Sequence, residues 1–146
     1  MQRIKLTQNK YALVDDDDFD FLNQWKWYFN SGYAVRGNKE KILMHRVVNH
    51  TSKGIITDHI NGDKLDNRKC NLRDCTNEEN QMNRGAQANN TSGYKGVTWS
   101  NKAGKWYAQI QYHGKRKHLG SYNTPQEASE VYNKEAKILF KGFCHF

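Results

Sequence analysis

Asp58 and His59 stand side by side after the apolar run Ile55-Ile56-Thr57, and Asn80 closes the stretch they open, DHINGDKLDNRKCNLRDCTNEEN. A carboxylate at Asp58 and an amide oxygen at Asn80 are hard oxygen donors suited to Mg2+, an ion that keeps waters and substrate phosphates on most of its positions and needs few protein ligands. His59 is the side chain best matched to take a proton from water near neutral pH, provided a second group fixes its tautomer and orientation. Activated water beside a metal-bound phosphate is the chemistry of hydrolysis. An isolated Asp-His pair in a turn is more often a solvated loop, so the reading depends on the whole spacing.

The elements around these residues are legible. Residues 55–57 read as a short strand that carries Asp58 and His59 to its tip and points them to opposite faces. Asn61-Gly62-Asp63 and Asp66-Asn67 are turn formers. Thr76 with Glu79 three residues later is a capping box that starts a helix near Asn77 and places Asn80 in its first turns. Upstream, residues 3–7 and 11–14 form a hairpin in outline around Gln8-Asn9-Lys10. The run Asp15 to Asp18 lacks the alternation and glycine of a calcium loop and reads as the acidic N-terminus of a short helix, where negative charge meets the helix dipole. Trp25, Trp27, Tyr28 and Phe29 supply bulk for a small core. Residues 42–48, ILMHRVV, read as a packing helix around His45 and Arg46.

Composition bounds the rest. A chain of 146 residues with 36% hydrophobic content and a mean hydropathy of -1.01 makes one thin core or two modest modules. The net charge of +8 favours a polyanionic partner. Residues 1–91 hold 14 Lys+Arg against 12 Asp+Glu, while residues 92–146 hold 9 against 3, so the C-terminal third is the basic module. No apolar run of about 18 residues is present to span a membrane, and MQRIKLTQNK lacks the apolar centre of a signal peptide. The expectation is a soluble, cytoplasmic protein without a membrane partner. Cys70, Cys75 and Cys144 cannot make a disulfide framework. The spacing of Cys70 and Cys75 has no second pair, and a zinc site would need Cys144 or His145, so structural zinc is not expected.

The small polar segment 85–92, GAQANNTS, reads as a linker. Beyond it, residues 94–99, 105–112 and 115–122 are strand-like runs separated by Asn101-Lys102-Ala103-Gly104 and His113-Gly114 turns. Thr124-Pro125 with Glu127 then caps a helix whose apolar face is Ala128, Val131, Tyr132, Ala136 and Leu139. Alternation turns Trp106, Ala108, Ile110 and Tyr112 toward that helix, together with Leu119 and the parity of Lys117. Lys105, Tyr107, Gln109, Gln111, Arg116 and His118 remain on an open polar face, which fits a major groove but is equally what a solvated sheet surface looks like.

The order Asp58-His59, Asn71, Asn80, with the surrounding DHINGDKLDNR, NLR and EN text, resembles the HNH nuclease motif in the variant of phage and intron homing endonucleases whose third position is asparagine. The resemblance implies that Asp58 and Asn80 bind one divalent metal, Mg2+ or another such as Mn2+, that His59 is the general base, and that Asn71 braces the loop and positions His59. It also implies 5'-phosphate and 3'-hydroxyl products. An equivalent His-Arg precedes the motif in that family, so Arg46 is a candidate contact to the DNA backbone. Residues 92–142, in their YxGV, KW.A.I, LG.Y.T and helical parts, resemble the DNA-binding domain of the plant APETALA2/ethylene-response-factor family. That likeness makes Lys95, Thr98, Gln109, Gln111, Arg116 and His118 candidate DNA contacts.

The reading is an α+β protein. A nuclease module of the small ββα-metal type occupies residues 1–84, with its core motif at 55–84 and a β-rich N-terminal extension. The 85–92 linker follows, and a three-stranded antiparallel sheet with one helix spans 93–146. Double-stranded DNA is the expected partner, a monomer the expected state, and site-directed nicking of one strand the expected outcome. The alternative is an inactive, sequence-specific DNA-binding regulator that keeps the nuclease fold as scaffold.

Overall fold

The computed structural model describes residues 1–87 and 89–143. It is a mixed α/β chain of small antiparallel sheets and four α-helices, divided into two compact units, Met1–Asn80 and Gln81–Phe146. Cys144 and His145, weighed above as zinc ligands, lie outside the described residues.

The first unit opens with a hairpin of β1 (Gln2–Lys5) and β2 (Tyr11–Val14), in register from Gln2 opposite Val14 to Lys5 opposite Tyr11. Gln8 and Asn9 turn it with φ of 60° and 52°; Asn tolerates the left-handed conformation because its short side chain can hydrogen-bond locally. Helix α1 (Asp16–Asn23) begins at Asp15 and carries Asp16, Asp17 and Asp18 in its first turn, as the acidic run implied. These carboxylates also reach distant parts of the chain. Asp15 Oδ2 accepts from the Lys69 backbone N–H at 2.8 Å, and Asp18 pairs with Lys69 Nζ at 2.8 Å.

Strands β3 (Tyr28–Asn30), β4 (Tyr33–Arg36) and β5 (Ile42–Leu43) form a second sheet with β4 central. The 42–48 run, read as one helix, is two strand residues and a short helix α2 (Met44–Val48). The difference follows from β4, which pairs Val35 with Leu43 and Arg36 with Ile42 and so draws the first two residues into the sheet. Strand β6 (Ile56–His59) pairs with β7 (Leu72–Cys75), joined by a loop that ends in a 3-10 turn at Lys69–Asn71. The core of the unit, Ile4, Val14, Leu22, Trp27, Met44 and Leu72 among others, draws on all three sheets and both helices. Helix α3 (Asn77–Asn83) follows β7 and crosses the division between the units. Thr76 caps it as expected: Glu79 N donates to Thr76 Oγ1 at 3.2 Å, and Thr76 N donates back to Glu79 Oε2 at 2.8 Å.

In the second unit β8 (Val97–Ser100), β9 (Lys105–Tyr112) and β10 (Lys115–Tyr122) form an antiparallel sheet with β9 central, and α4 (Pro125–Phe140) covers one face. Both halves of the Thr124/Glu127 capping box are formed. The apolar side of α4 is Ala128, Tyr132, Ala136 and Phe140, with Val131 and Leu139 half-buried. Gly96 lies beneath Tyr132 at φ +70°, and any Cβ there would run into the tyrosine ring. Segment 85–92 is not uniformly loose. Asn90 Oδ1 accepts from Ser92 N at 2.8 Å and Gly93 N at 3.1 Å, which folds its last residues into the approach to β8.

Candidate active site

Strand β6 ends on Asp58 and His59, and its pairing with β7 sets what each one meets. Asp58 lies opposite Arg73, and His59 opposite Leu72. The Asp58 carboxylate, only 8% exposed, accepts from Arg73 Nη2 at 2.9 Å and Nε at 3.1 Å. A buried carboxylate needs such compensation. Arg73 was invisible as a site residue, because cross-strand neighbours fifteen positions apart leave no mark in spacing.

His59 is 5% exposed. Its ring packs edge-on against His45 of α2 at 4.9 Å and lies 6.2 Å from Tyr33 of β4. Its Nε2 is 3.3 Å from Oδ1 of Asn67, a residue 1% exposed that the sequence marked only as a turn former. Burial lowers the His59 pKa, against the Asn67 hydrogen bond and the carboxylates of Asp58, Asp63 and Asp66, which favour the charged form. His45 is pushed down to about 3, by burial first and then by His59 and Arg46. Both imidazoles are therefore neutral at pH 7, as a proton acceptor must be.

The loop between the strands is tied at each turn. Asn71 Oδ1 accepts from Asn61 N at 3.0 Å, Asn71 Nδ2 donates to the Asp66 carbonyl at 2.8 Å, and Ile60 N donates to the Asn71 carbonyl at 2.9 Å. Asn71 thus clasps the two ends of the loop, while the contact to the His59 ring belongs to Asn67. Asp66, 2% exposed, accepts from Arg68 Nη2 at 2.6 Å and Nε at 2.7 Å, and these bonds hold its carboxyl below the usual carboxylate range. Asn80 sits half-buried in the first turns of α3, its N–H donating to the Thr76 carbonyl at 3.0 Å.

The donor set that sequence assigns to a metal, one carboxylate and one amide oxygen, fits a hard divalent cation. In the structure the carboxylate already has a cationic partner in Arg73. Among the described residues, no group of three or more His, Cys, Asp or Glu side chains converges as a metal site. Cys70 is exposed and Cys75 buried, its thiol pushed up to about 11 by burial.

Two basic residues proposed for DNA have partners within the chain. Arg46 donates to the carbonyls of Ile55 at 2.8 Å and Ser52 at 3.0 Å, pinning the turn that leads into β6. Lys95 Nζ donates to the carbonyls of Gln81, Met82 and Arg84, at 3.0, 2.6 and 2.6 Å, and so caps the C-terminal end of α3. Orphan carbonyls at a helix end attract cations. The remaining candidates stand on the open face of the second unit's sheet. Thr98 is exposed opposite Tyr107; Gln111 and Arg116 pair across β9 and β10, as do Gln109 and His118. His118 packs edge-on to Tyr107 at 4.9 Å. Lys117 faces the other way and pairs with Glu135 of α4 at 2.7 Å. Leu119 keeps the inward parity of Lys117 and touches both apolar clusters of the unit, and the bulge between His118 and Gly120 passes the inward register on to Gly120, opposite Ala108, and Tyr122, opposite Trp106.

The buried Asp58-His59 pair at the end of β6, its partner strand β7 and the capped helix α3 that bears Asn80 are contiguous in the chain. Residues 43–82 match the HNH endonuclease family. The chain is 28% identical over 141 residues to an uncharacterised HNH endonuclease of Acanthamoeba polyphaga mimivirus, covering 92% of this chain and 73% of that one. It is 30% identical over 86 residues to Protein 3.8 of Escherichia phage T7, covering 59% of this chain and 71% of that one. No solved structure matches. Residues 43–82 carry an HNH endonuclease domain, and the chain is a nuclease that acts on DNA. Among the described residues no helix is long and apolar enough to cross a membrane.

Proposed function

We propose that the protein is a metal-dependent, site-directed endonuclease of the homing type that nicks double-stranded DNA. The observation that carries this reading is the placement of a buried carboxylate and a neutral, buried imidazole at adjacent positions of β6, inside the stretch matched to the family. Asp58 and Asn80 would hold one divalent cation, Mg2+ or Mn2+, which when bound supplies positive charge to a phosphate and to the departing oxygen.

The chain's own residues do the rest. His59, neutral at pH 7, accepts a proton as a water oxygen attacks phosphorus. The bond from phosphorus to the 3'-oxygen breaks, and that oxygen takes up a proton to leave 3'-hydroxyl and 5'-phosphate ends. Asn71 keeps the loop closed around the base. One such centre in a monomer cuts one strand. Site preference comes from the open sheet face of the second unit, where Gln109, Gln111, Arg116 and His118 present groups that pair with base edges, arginine with guanine and glutamine with adenine. Its likeness to the APETALA2/ethylene-response-factor domain supports that use of the face.

Mg2+-dependent cleavage of supercoiled plasmid and phage genomic DNA, wild type beside His59→Ala, tests the reading. Nicked product from wild type and none from the variant is the expected result. Linear product at the earliest times would replace nicking with double-strand cutting. Equal cleavage by His59→Ala would remove His59 as the base, and DNA shifted on a gel but cut by neither protein would replace the enzyme with the regulator.

A further inference from the structure

We infer that Lys64 is a further DNA contact, gripping a phosphate that flanks the one attacked, an inference that rests on the Asp58-His59 pair being the cutting centre. Lys64 stands exposed in the loop between β6 and β7, yet its side chain is laid back on the protein. Its Nζ lies over the ring of Tyr33, 4.6 Å from the centroid. The face of a phenol attracts an ammonium, and such a contact holds a flexible side chain in place without neutralising its charge. The stem rests on the turn before β4. Gly32 there has φ of +94°, and a Cβ on it would come within 3.1 Å of Lys64 Cδ.

Tyr33 connects this charge to the site. Its ring is 5.3 Å from that of His45 and 6.2 Å from that of His59, so the side chain that carries the ammonium also walls the imidazole. The other cations of the loop are matched with carboxylates, Arg68 with Asp66 and Lys69 with Asp18, and on β7 Arg73 holds Asp58. Among the described residues Lys64 has no carboxylate partner. The acids beside it are turned elsewhere: Asp63 accepts from the Leu65 N–H at 2.9 Å, and Asp66 from Arg68. A pre-placed ammonium with its charge unanswered suits an anion, because little side-chain freedom is lost when a phosphate binds. Phosphates repeat along a DNA strand. A strand with its scissile phosphate at His59 brings a neighbouring one across the Tyr33 ring to Lys64, and that contact fixes where the scissile bond sits.

The test compares the intact wild type with Lys64→Met, which keeps the stem and removes the charge, and with Lys64→Arg. Affinity for duplex DNA is measured in chelator across a KCl series, and nicking of supercoiled plasmid is followed with Mg2+ in single turnover. Lys64→Met should reduce the slope of log affinity against log salt by about 0.9, the share of one phosphate. It should also slow nicking at saturating DNA about 10-fold, and Lys64→Arg should recover most of both. With the nick mapped, duplexes carrying one methylphosphonate at a flanking position locate the contact. One such substitution should slow wild type and leave Lys64→Met unaffected; equal slowing of both proteins at every position overturns the inference. An unchanged slope overturns it whatever the rate, because Lys64 then serves only the loop. A reduced slope with an unchanged rate overturns it as well, by placing the contact away from the cut. Full cleavage by His59→Ala instead removes the assignment of the base, while the slope is read independently.

Discussion

At the scale of single residues, the candidate site is defined as much by compensation as by reactivity. Asp58 is a buried carboxylate whose charge is balanced by Arg73. Removing one partner of a buried pair leaves an uncompensated charge and commonly costs a few kcal/mol. Arg73→Ala is therefore expected to lower stability by about 2 to 4 kcal/mol in chelator, and added Mg2+, by supplying a replacement cation, should raise the variant's Tm more than it raises that of wild type. Equal shifts in both proteins would detach Asp58 from metal binding. His45 makes a different prediction. Its pKa is about 3 in the folded protein against 6.5 for the free side chain. The unfolded chain then binds the extra proton first as pH falls, so the stabilisation is full above 6.5 and is lost progressively below it. Between pH 7 and pH 5 the loss is about 2 kcal/mol, a window above the range in which ordinary carboxylates titrate. Urea unfolding of wild type and His45→Gln at the two pH values checks this: the pH dependence should flatten in the variant, and an unchanged slope would mean that the ring titrates freely.

At the scale of elements, what was legible in the sequence is what local physics dictates. The two capping boxes, the hairpin turns at Gln8-Asn9 and His113-Gly114, the acidic start of α1 and the alternation of β9 each depend on residues within a few positions of one another, and each is formed. Long-range pairings were not legible. Asp15 and Asp18 read as dipole partners, yet they also hold Lys69, fifty or so residues away, next to Asn71. Asn67 reads as a turn former until the fold places it on His59. Arg46 and Lys95, candidate DNA contacts by resemblance, also donate to backbone carbonyls of the chain, and sequence does not record which carbonyls the fold leaves without donors. The sheet of the second unit gives a sharp element-level test, because Arg116 and Lys117 are neighbours of like charge on opposite faces. Arg116→Ala should weaken binding to a cognate site by about 1 to 3 kcal/mol if it reads a base edge, while Lys117→Ala should leave affinity unchanged. Equal losses in a binding titration would show a diffuse charge effect in place of readout by one face.

At the scale of the whole molecule, charge is divided between the units. Met1–Asn80 carries 13 Lys+Arg against 12 Asp+Glu, and Gln81–Phe146 carries 10 against 3. Phosphate contacts release counterions and make affinity fall with salt, so the second unit should govern how tightly and how salt-dependently the protein binds. The first unit, nearly neutral and holding the buried Asp58-His59 pair, should govern how fast a bound phosphodiester is cut. Asn71 and Arg116 sample the two tasks without a shared partner: Asn71 is bonded to Asn61 and Asp66, and Arg116 stands opposite Gln111. Asn71→Ala is expected to slow single-turnover cleavage at saturating DNA with affinity nearly unchanged, and Arg116→Ala to weaken affinity and relax preference at one base position with the saturated rate unchanged. Effects at sites without shared partners usually add within about 0.3–0.5 kcal/mol, so the double variant should show the rate of one and the affinity of the other. An affinity loss in Asn71→Ala equal to its loss in rate would mean that Asn71 holds the fold and does not specifically serve the base. Strong non-additivity in the double variant would mean that groove contacts and the catalytic loop form one coupled device, with DNA binding helping to set the geometry around His59.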